Sequence, residues 1–194
     1  MSIDVARFFD AYRREFGRVR PEQVAPLERL IGYINADATI TDHRHAAYML
    51  ATVYGECGDT YEPVEEAFYL AGSVRDLDAW RRRNLRYYPW HGRGYVQLTW
   101  RANYARAEKL LDIPLTKDPT LAMVPEHAYV IMSRGMQEGW FTGKALADYI
   151  NGRRCDYRNA RRIINGMDKA RKYAGWAQRF DRILSYAEVA RCKD

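Results

Sequence analysis

Apolar residues recur three and four positions apart over most of this chain, and that spacing constrains the fold more than any other feature of the sequence. An α-helix has 3.6 residues per turn, so residues at this spacing share one helix face. The alternation of apolar and polar residues that marks a half-buried strand is scarce. The sequence therefore predicts a mainly α-helical protein with at most a small β-hairpin, near residues 84–98.

Residues that start or stop helices bound these apolar segments. Ser2 suits the N-cap of the first helix, Pro21 suits the first turn of the second, and Thr41 or Asp42 suits the cap of the third. Gly17 suits the end of the first helix. The predicted helices span residues 3–17, 21–34, 42–56, 100–111, 128–139, 143–150, 156–164 and 168–190.

Length and composition indicate one folded domain. A chain of 194 residues falls within the usual domain size of ~100–200 residues. It has no run of ~18 apolar residues, so we expect no membrane span. The first residues, Met1 to Arg7, include an acid and no apolar signal-peptide core. We expect a single domain over 1–194 that is made in the cytoplasm without a signal peptide.

Cysteines and histidines give no sign of a disulfide framework or a metal site. The three cysteines at 57, 155 and 192 are odd in number and far apart, which fits a reducing compartment. His43 and His45 are the only close histidine pair, and no further ligands lie near them in sequence. We expect neither a metal ion nor a cofactor.

The net charge of +6 indicates a polyanionic partner. Nucleic acid is one candidate, but the clusters at 81–83 and 161–162 are short and lack a recognised nucleic-acid motif, so we expect no such partner. The arginine-rich stretch 81–86 is interpreted as a solvated face. A bacterial cell wall, with peptide carboxylates and anionic polymers, is another polyanionic surface. Charge alone does not choose between these partners.

The stretch from His91 to Tyr104 combines glycines, neutral polar groups and aromatic rings. Gly92 and Gly94 permit a turn or a close backbone approach. Polar groups that bond hydroxyls, beside rings that stack on sugar C–H faces, are what a carbohydrate site needs. The alternative, equally weighted on composition, is a turn and helix start whose rings belong to the core. The polar residues are Gln97, Thr99 and Asn103, and the nearby rings belong to Tyr87, Tyr88, Trp90, Tyr95 and Trp100.

Acidic residues crowd the segment after the third predicted helix. They are Glu56, Asp59, Glu62, Glu65 and Glu66. Glu56 ends an apolar helix, where a carboxyl is partly buried, and burial raises the pKa of a carboxyl as a general acid requires. The alternative is an exposed residue in the last helical turn, and the sequence leaves both open.

Glycoside hydrolysis uses two carboxyls, one as acid and the other as base or nucleophile. Glu65 lies nine positions beyond Glu56, which is ~13 Å on one straight helix and on its opposite face. An inverting pair is roughly 6.5–9.5 Å apart. The pair therefore requires a bend in the chain, for which Gly58, Asp59 and Pro63 provide the means. The alternatives for the second carboxyl are Asp59, Glu62 and Glu66.

Three separated segments carry a family resemblance. They are Ala47–Gly58, which ends in Tyr-Gly-Glu-Cys-Gly; Gly92–Thr99 followed by Asn103-Tyr104; and Ala160–Gly166, which contains Arg-Ile-Ile-Asn-Gly. Their content and order resemble glycoside hydrolase family 19, in particular the phage endolysin branch related to chitinases. The family's first segment ends in His-Glu-Thr/Ser-Gly, and its third contains Arg-x-Ile-Asn-Gly. The resemblance covers residues 47–166.

This resemblance implies a lysozyme-like, two-lobed helical fold with a central cleft, and inverting hydrolysis of β-1,4-linked N-acetylated sugars. The expected protein is a monomeric endolysin that cleaves the peptidoglycan glycan backbone after release from the bacterial cytoplasm. One alternative is a chitinase, for which the positive charge offers no clear advantage. Another, from a different class, is a wall-binding module without catalysis.

The resemblance also assigns roles to residues. Glu56 matches the catalytic acid, Glu65 the second carboxylate, and Thr99 the hydroxyl that holds the attacking water. Arg162 is expected to bind substrate and to orient the acid pair. The other expected substrate contacts are Tyr88, Arg93, Tyr95, Gln97, Asn103 and Asn165. Gly55 departs from the family, which has histidine before the acid, and any role of that imidazole is lost or taken over by another group, such as Tyr54.

Overall fold

The computed structural model describes residues 1–189 and is mainly α-helical, which confirms the predicted fold class. The α-helices are α1 (Val5–Phe16), α2 (Pro21–Ala36), α3 (His43–Glu56), α4 (Leu77–Asn84), α5 (Arg101–Leu111), α6 (Pro125–Glu138), α7 (Leu146–Tyr149) and α8 (Ala170–Ala187). Short 3₁₀ helices span Phe68–Leu70, Pro119–Met123 and Asn159–Ile163. The strands are β1 (Val64–Glu65), β2 (Arg93–Gly94), β3 (Ile150–Asn151) and β4 (Arg154–Cys155).

The chain forms two compact units. The first comprises Met1–Tyr61 together with Gly135–Asp194, of which the structure describes residues up to 189, and the second comprises Glu62–Arg134. The expectation of a single catalytic domain over 1–194 stays a prediction. No helix within residues 1–189 is long and apolar enough to span a bilayer.

Helix α3 is the buried helix of the first unit. Every residue from Ala46 to Val53 is buried, and a helix that is apolar on all sides is one that its neighbours surround. It packs mainly against α8, and α1 also packs on α8. Asp42 caps its start by accepting a hydrogen bond from the N–H of Arg44, as predicted. This packing fixes the position of its last residue, Glu56.

The chain turns sharply where α3 ends. Gly58, Asp59 and Tyr61 have φ angles of 61°, 61° and 60°, which lie in the left-handed region. A salt bridge of 2.8 Å from Arg20 to Asp59 holds the turn. The predicted bend after Glu56 is therefore present.

The predicted hairpin near 84–98 is wrong in its pairing. Strand β2 pairs with β1, in the antiparallel register Val64↔Gly94 and Glu65↔Arg93, and a bridge from Arg93 to Leu98 is the local contact within that stretch. A second hairpin, between β3 and β4, was not predicted. Strands of two residues are too short to show alternation, so their sequence carries no signal of period two.

Helix boundaries differ from the predictions mainly in the last third of the chain. The helix predicted over 143–150 shortens to α7, and that over 156–164 is a 3₁₀ helix. Helix α8 begins at Ala170, and the predicted end at Ala190 lies outside the described residues. Cys57 and Cys155 take no part in a disulfide, whereas Cys192 also lies outside that range.

Candidate active site

Glu56 lies at the C-terminal end of α3 with its side chain 19% exposed. Two donors share its Oε1 atom: the Nη1 of Arg161 at 2.9 Å and the hydroxyl of Tyr173 at 2.8 Å. No protein group among residues 1–189 bonds its Oε2. The carboxyl is thus held through one oxygen, while the other keeps its bonding capacity for a proton or a substrate atom.

Arg161 is the arginine that holds Glu56, and the prediction of this orienting role for Arg162 is wrong. The 3₁₀ helix Asn159–Ile163 turns Arg161 inward, where it is 3% exposed, and leaves Arg162 exposed. The guanidinium also lies 4.0 Å from the ring centroid of Tyr173, and its Nε donates to the carbonyl of Asp168 at 3.2 Å. A buried charge of this kind needs such partners.

Tyr173 occupies the space beside Gly55. A Cβ at position 55 would lie 2.5 Å from the Cζ and 2.6 Å from the hydroxyl of Tyr173, so only glycine permits this approach. Burial raises the pKa of Tyr173, and the negative charge of Glu56 raises it further, so the phenol stays protonated and donates to that carboxyl. Tyr173, rather than Tyr54, is therefore the group that lies against Gly55 and bonds Glu56. Tyr54 instead packs against Trp176, with ring centroids 4.9 Å apart.

Glu65 lies in β1 of the second unit, and donors hold both of its oxygens. Its Oε1 accepts from the Nε2 of His91 at 2.9 Å and from the Nε of Arg93 at 2.8 Å. Its Oε2 pairs with the Nη1 of Arg81 at 2.6 Å. Antiparallel pairing of β1 with β2 places Arg93 directly opposite Glu65, while α4 supplies Arg81.

The groups around Glu65 keep its side chain ionised. Burial opposes the ionised form, but the hydrogen bond from His91 and the charges of Arg93 and Arg81 outweigh that effect and lower the pKa of Glu65 to about 2. At neutral pH this residue is therefore a fixed negative charge. Within residues 1–189, Arg81 is the one donor to Oε2, so this oxygen retains a lone pair that can accept a hydrogen bond from water.

Arg93 and Tyr95, two of the predicted sugar contacts, are buried. Arg93 is 4% exposed, and besides Glu65 its guanidinium bonds the carbonyl of Pro89 at 2.8 Å and the hydroxyl of Tyr104 at 3.2 Å. Tyr95 is 0% exposed. Their burial corrects the two predictions: Arg93 positions Glu65, and Tyr95 belongs to the core.

Gln97, Thr99 and Asn103 lie together at the start of α5 and just before it. The amide of Gln97 donates to the carbonyl of Val64 at 2.9 Å, so it ties this loop to β1. The amide of Asn103 donates to the carbonyl of Thr99 at 3.0 Å. All three residues are half-buried, and their predicted contacts with sugar and water stay predictions.

Tyr88 and Asn165 are the remaining predicted substrate contacts. Tyr88 is half-buried and stacks on the imidazole of His91, with centroids 5.5 Å apart, so it supports a residue that holds Glu65. Asn165 is exposed in the first unit, where its Oδ1 accepts from the N–H of Gly166 at 2.8 Å. The side-chain nitrogen of Asn165 has no bond within the described part of the chain.

Two of the alternative second carboxyls have structural partners. Asp59 pairs with Arg20 in the turn after α3. Glu66 accepts from the hydroxyl of Tyr87 at 2.6 Å and from the N–H of Gly92 at 2.8 Å, so it fastens the strand pair. Glu62 is half-buried and stays an alternative. Within residues 1–189, no three His, Cys, Asp or Glu side chains form a group that could hold a metal ion.

Two of the solved structures that resemble this chain are chitinases. A chitinase C variant with one glutamate replaced by glutamine matches with a TM-score of 0.54 and 21% identity, over 94% of this chain and 92% of that one. Chitinase C from Streptomyces griseus HUT6037 matches with a TM-score of 0.57 and 18% identity, over 94% of this chain and 76% of that one. These similarities show the fold. No protein-family model matches the chain, and no curated protein matches it significantly.

Proposed function

We propose that this protein is a glycoside hydrolase that cleaves the β-1,4-linked glycan backbone of peptidoglycan, with Glu56 as general acid and Glu65 as the second carboxylate. The observation that carries the proposal is the difference between the two carboxyls. One is bonded through a single oxygen, and the other is held ionised with a pKa of about 2. A pair of carboxyls in two such environments is what glycosidases use. The chitinase fold supports the same reaction class.

Glu56 acts on the leaving group. Its Oε1 accepts from Arg161 and Tyr173, so the proton of the carboxylic acid sits on Oε2. That proton passes to the glycosidic oxygen as the bond from this oxygen to the anomeric carbon breaks, and the carboxylate that results is paired with Arg161. Tyr173 and Arg161 are positioning residues, because they bond the acid and not the sugar.

Glu65 acts on the water and on the positive charge that develops at the sugar. Its lone pair on Oε2 orients a water molecule, which Thr99 also holds in this proposal. The water oxygen bonds the anomeric carbon on the face opposite the leaving group, and its proton passes to Glu65. A carboxylate with so low a pKa is a weak base, so its main contribution is electrostatic. The product has the inverted configuration.

The substrate that we propose is peptidoglycan, and the net charge of +6 is the reason. Peptidoglycan carries carboxylates, whereas chitin is uncharged, so a basic protein gains association rate and affinity only on the former. The proposed setting is that of a phage endolysin, made in the host cytoplasm and acting on the wall after release. Chitin hydrolysis is the second candidate, because the structural neighbours are named chitinases.

Parallel assays on purified peptidoglycan and on N-acetylglucosamine oligosaccharides test this proposal. The parent protein is expected to release reducing ends from peptidoglycan, and Glu56→Gln to lose about 10²–10⁴ of that rate, as removal of a general acid does. Cleavage of the oligosaccharides alone would favour the chitinase. Binding to peptidoglycan without cleavage by the parent would favour the wall-binding module, and full activity of Glu56→Gln would refute the assignment of the acid.

A further inference from the structure

Trp100 in the second unit is a large apolar side chain that the protein leaves in contact with solvent. It is 46% exposed and has a φ of 71°, a left-handed conformation that a bulky residue rarely adopts. A hydrogen bond of 2.9 Å from its N–H to the carbonyl of Trp90 holds this backbone. Strained backbone that exposes an aromatic ring points to a function for the ring.

Two side chains hold the Trp100 ring in place. The guanidinium of Arg86 lies 5.1 Å from its centroid, and the ring of Tyr87 lies at 5.0 Å with a 60° tilt. The hydroxyl of Tyr87 is in turn bonded to Glu66, the neighbour of Glu65 in β1. The exposed ring is therefore connected by direct contacts to the strand that bears the proposed second carboxylate.

Arg86 differs from Arg81 and Arg82 in having no ion pair within residues 1–189, and from Arg83 in its contact with an aromatic ring. Arg81 pairs with Glu65, and Arg82 pairs with Asp78. Arg86 is exposed and forms no ion pair within residues 1–189. Its charge is thus available to an external anion, directly beside an exposed aromatic face.

We propose that Trp100 and Arg86 form a binding subsite for a sugar that carries a carboxylate, with the sugar ring on Trp100 and the carboxylate on Arg86. This inference rests on the proposed function. The subsite would make the protein bind peptidoglycan in preference to chitin. An indole face suits the C–H face of a pyranose, and a guanidinium binds a carboxylate through paired N–H groups. The carboxylate comes either from the lactyl ether of muramic acid or from the attached peptide. Within the stretch 81–86, which was interpreted as a solvated face, Arg86 would then bind the ligand.

Binding is measured by calorimetry in the Glu56→Gln background, which prevents turnover. The probes are glycan strands stripped of peptide, soluble fragments with peptide, and N-acetylglucosamine oligosaccharides. Arg86→Gln is expected to lower the affinity for a carboxylate-bearing probe about fivefold relative to the oligosaccharides. Arg83→Gln is the matched control, because it removes an equal charge from an arginine with no ring contact in the described chain. An effect on stripped strands assigns the lactyl carboxylate, and an effect only on fragments with peptide assigns the peptide carboxylate.

Trp100→Gly tests the ring separately. It is expected to weaken all probes about tenfold. Its Tm is expected to match or exceed that of Trp100→Ala, because glycine tolerates a positive φ. Tyr69→Ala, at the most exposed large apolar residue, is its control.

Equal effects of Arg86→Gln and Arg83→Gln, or of Trp100→Gly and Tyr69→Ala, would overturn the subsite. So would a Tm for Trp100→Gly far below that of the parent protein, since the ring would then be structural. A parent protein that binds with these dependences but cleaves nothing would refute the proposed function and leave the subsite standing. A parent protein that cleaves peptidoglycan but shows neither dependence would refute the subsite and leave the proposed function standing.

Discussion

The carboxyls of Glu56 and Glu65 differ in how many of their oxygens are bonded by the protein. Both donors to Glu56 share one oxygen, and one of them is a neutral phenol. Glu65 has donors on both oxygens, and two of these donors are buried arginines. A carboxyl bonded through one oxygen can carry a proton on the other, whereas one enclosed by cations stays ionised. This difference in partners is the reason for proposing different roles for the two carboxyls.

The largest expected difference is in the loss of stability when each carboxyl is removed. Glu65→Ala leaves Arg81 and Arg93 buried without their shared anion, which is expected to lower the free energy of unfolding by about 3–5 kcal/mol. Glu56→Ala leaves only one buried arginine, Arg161, without its anion. It is therefore expected to lower the free energy of unfolding less. Urea unfolding of the two variants measures the difference.

Asp78→Ala is the control, because it breaks an ion pair whose acid is 56% exposed. It is expected to lower the free energy of unfolding by at most about 1 kcal/mol. An equal or larger loss for Glu56→Ala would contradict the comparison.

The next effect concerns the contact between Gly55 and Tyr173. Gly55→Ala places a Cβ 2.5 Å from the phenol ring, so the ring must move away from Glu56. We expect a loss of about 1–3 kcal/mol in stability and a lower rate of hydrolysis. Gly32→Ala, within α2 and with open space around the added Cβ, is the control and is expected to be neutral or stabilising.

A double-mutant cycle identifies the source of that loss. In a Tyr173→Ala background the clash is absent, so the added Gly55→Ala is expected to have little further effect. Purely additive losses would show that the cost arises from contacts other than the phenol.

A smaller effect is expected for Tyr173→Phe, which removes only the hydroxyl. The lost hydrogen bond to a charged group corresponds to about 1.5–3 kcal/mol at most, and Arg161 still holds the carboxyl. Because Tyr173 positions the acid, we expect a lower kcat with little change in KM, and a displaced limb in the pH profile of kcat. A change in KM alone would instead indicate contact with the sugar.

A further expected effect is on the pH dependence of stability. The pKa of Glu65 falls from its ordinary value of 4.5 to about 2 on folding. Its ionised form therefore stabilises the protein fully above pH 4.5, and this contribution disappears as the pH falls through 2. We expect the stability difference between the parent and Glu65→Gln to shrink over that window. A difference that is constant from pH 6 to pH 2.5 would contradict the assignment of Glu65 as the low-pKa carboxylate.

Helix α3 shows what the sequence predicts well. Its apolar spacing, its cap at Asp42 and its end at Glu56 were all predicted, because local periodicity and capping chemistry determine them. The same pattern placed Glu56 at the end of a buried helix, while its role as the acid came from the family resemblance and stays a prediction. The bend after it followed from Gly58.

The partners of the two carboxyls could not be predicted in the same way. Tyr173 fits the apolar spacing of α8, so its sequence context does not distinguish it from a core residue, although a glycine at 55 signals that another group fills the vacant space. The orienting role was given to Arg162 from the family resemblance, which does not show which of the two adjacent arginines the 3₁₀ helix turns inward. The donors to Glu65 come from α4, from β2 and from His91 just before β2, and pairing of two-residue strands leaves no periodic pattern.

The most direct test of this division of roles is to compare Glu56→Gln and Glu65→Gln on two glycosides of a peptidoglycan oligosaccharide, one with a sugar leaving group and one with a dinitrophenyl leaving group. A dinitrophenolate departs without a proton, so it does not need a general acid, whereas attack by water needs the second carboxylate in both cases. We predict that Glu56→Gln loses about 10²–10⁴ of the rate on the sugar leaving group but retains most of it on the dinitrophenyl glycoside. Glu65→Gln is predicted to be slow on both. Retention of dinitrophenyl cleavage by Glu65→Gln and its loss in Glu56→Gln would contradict the assignment of acid and base.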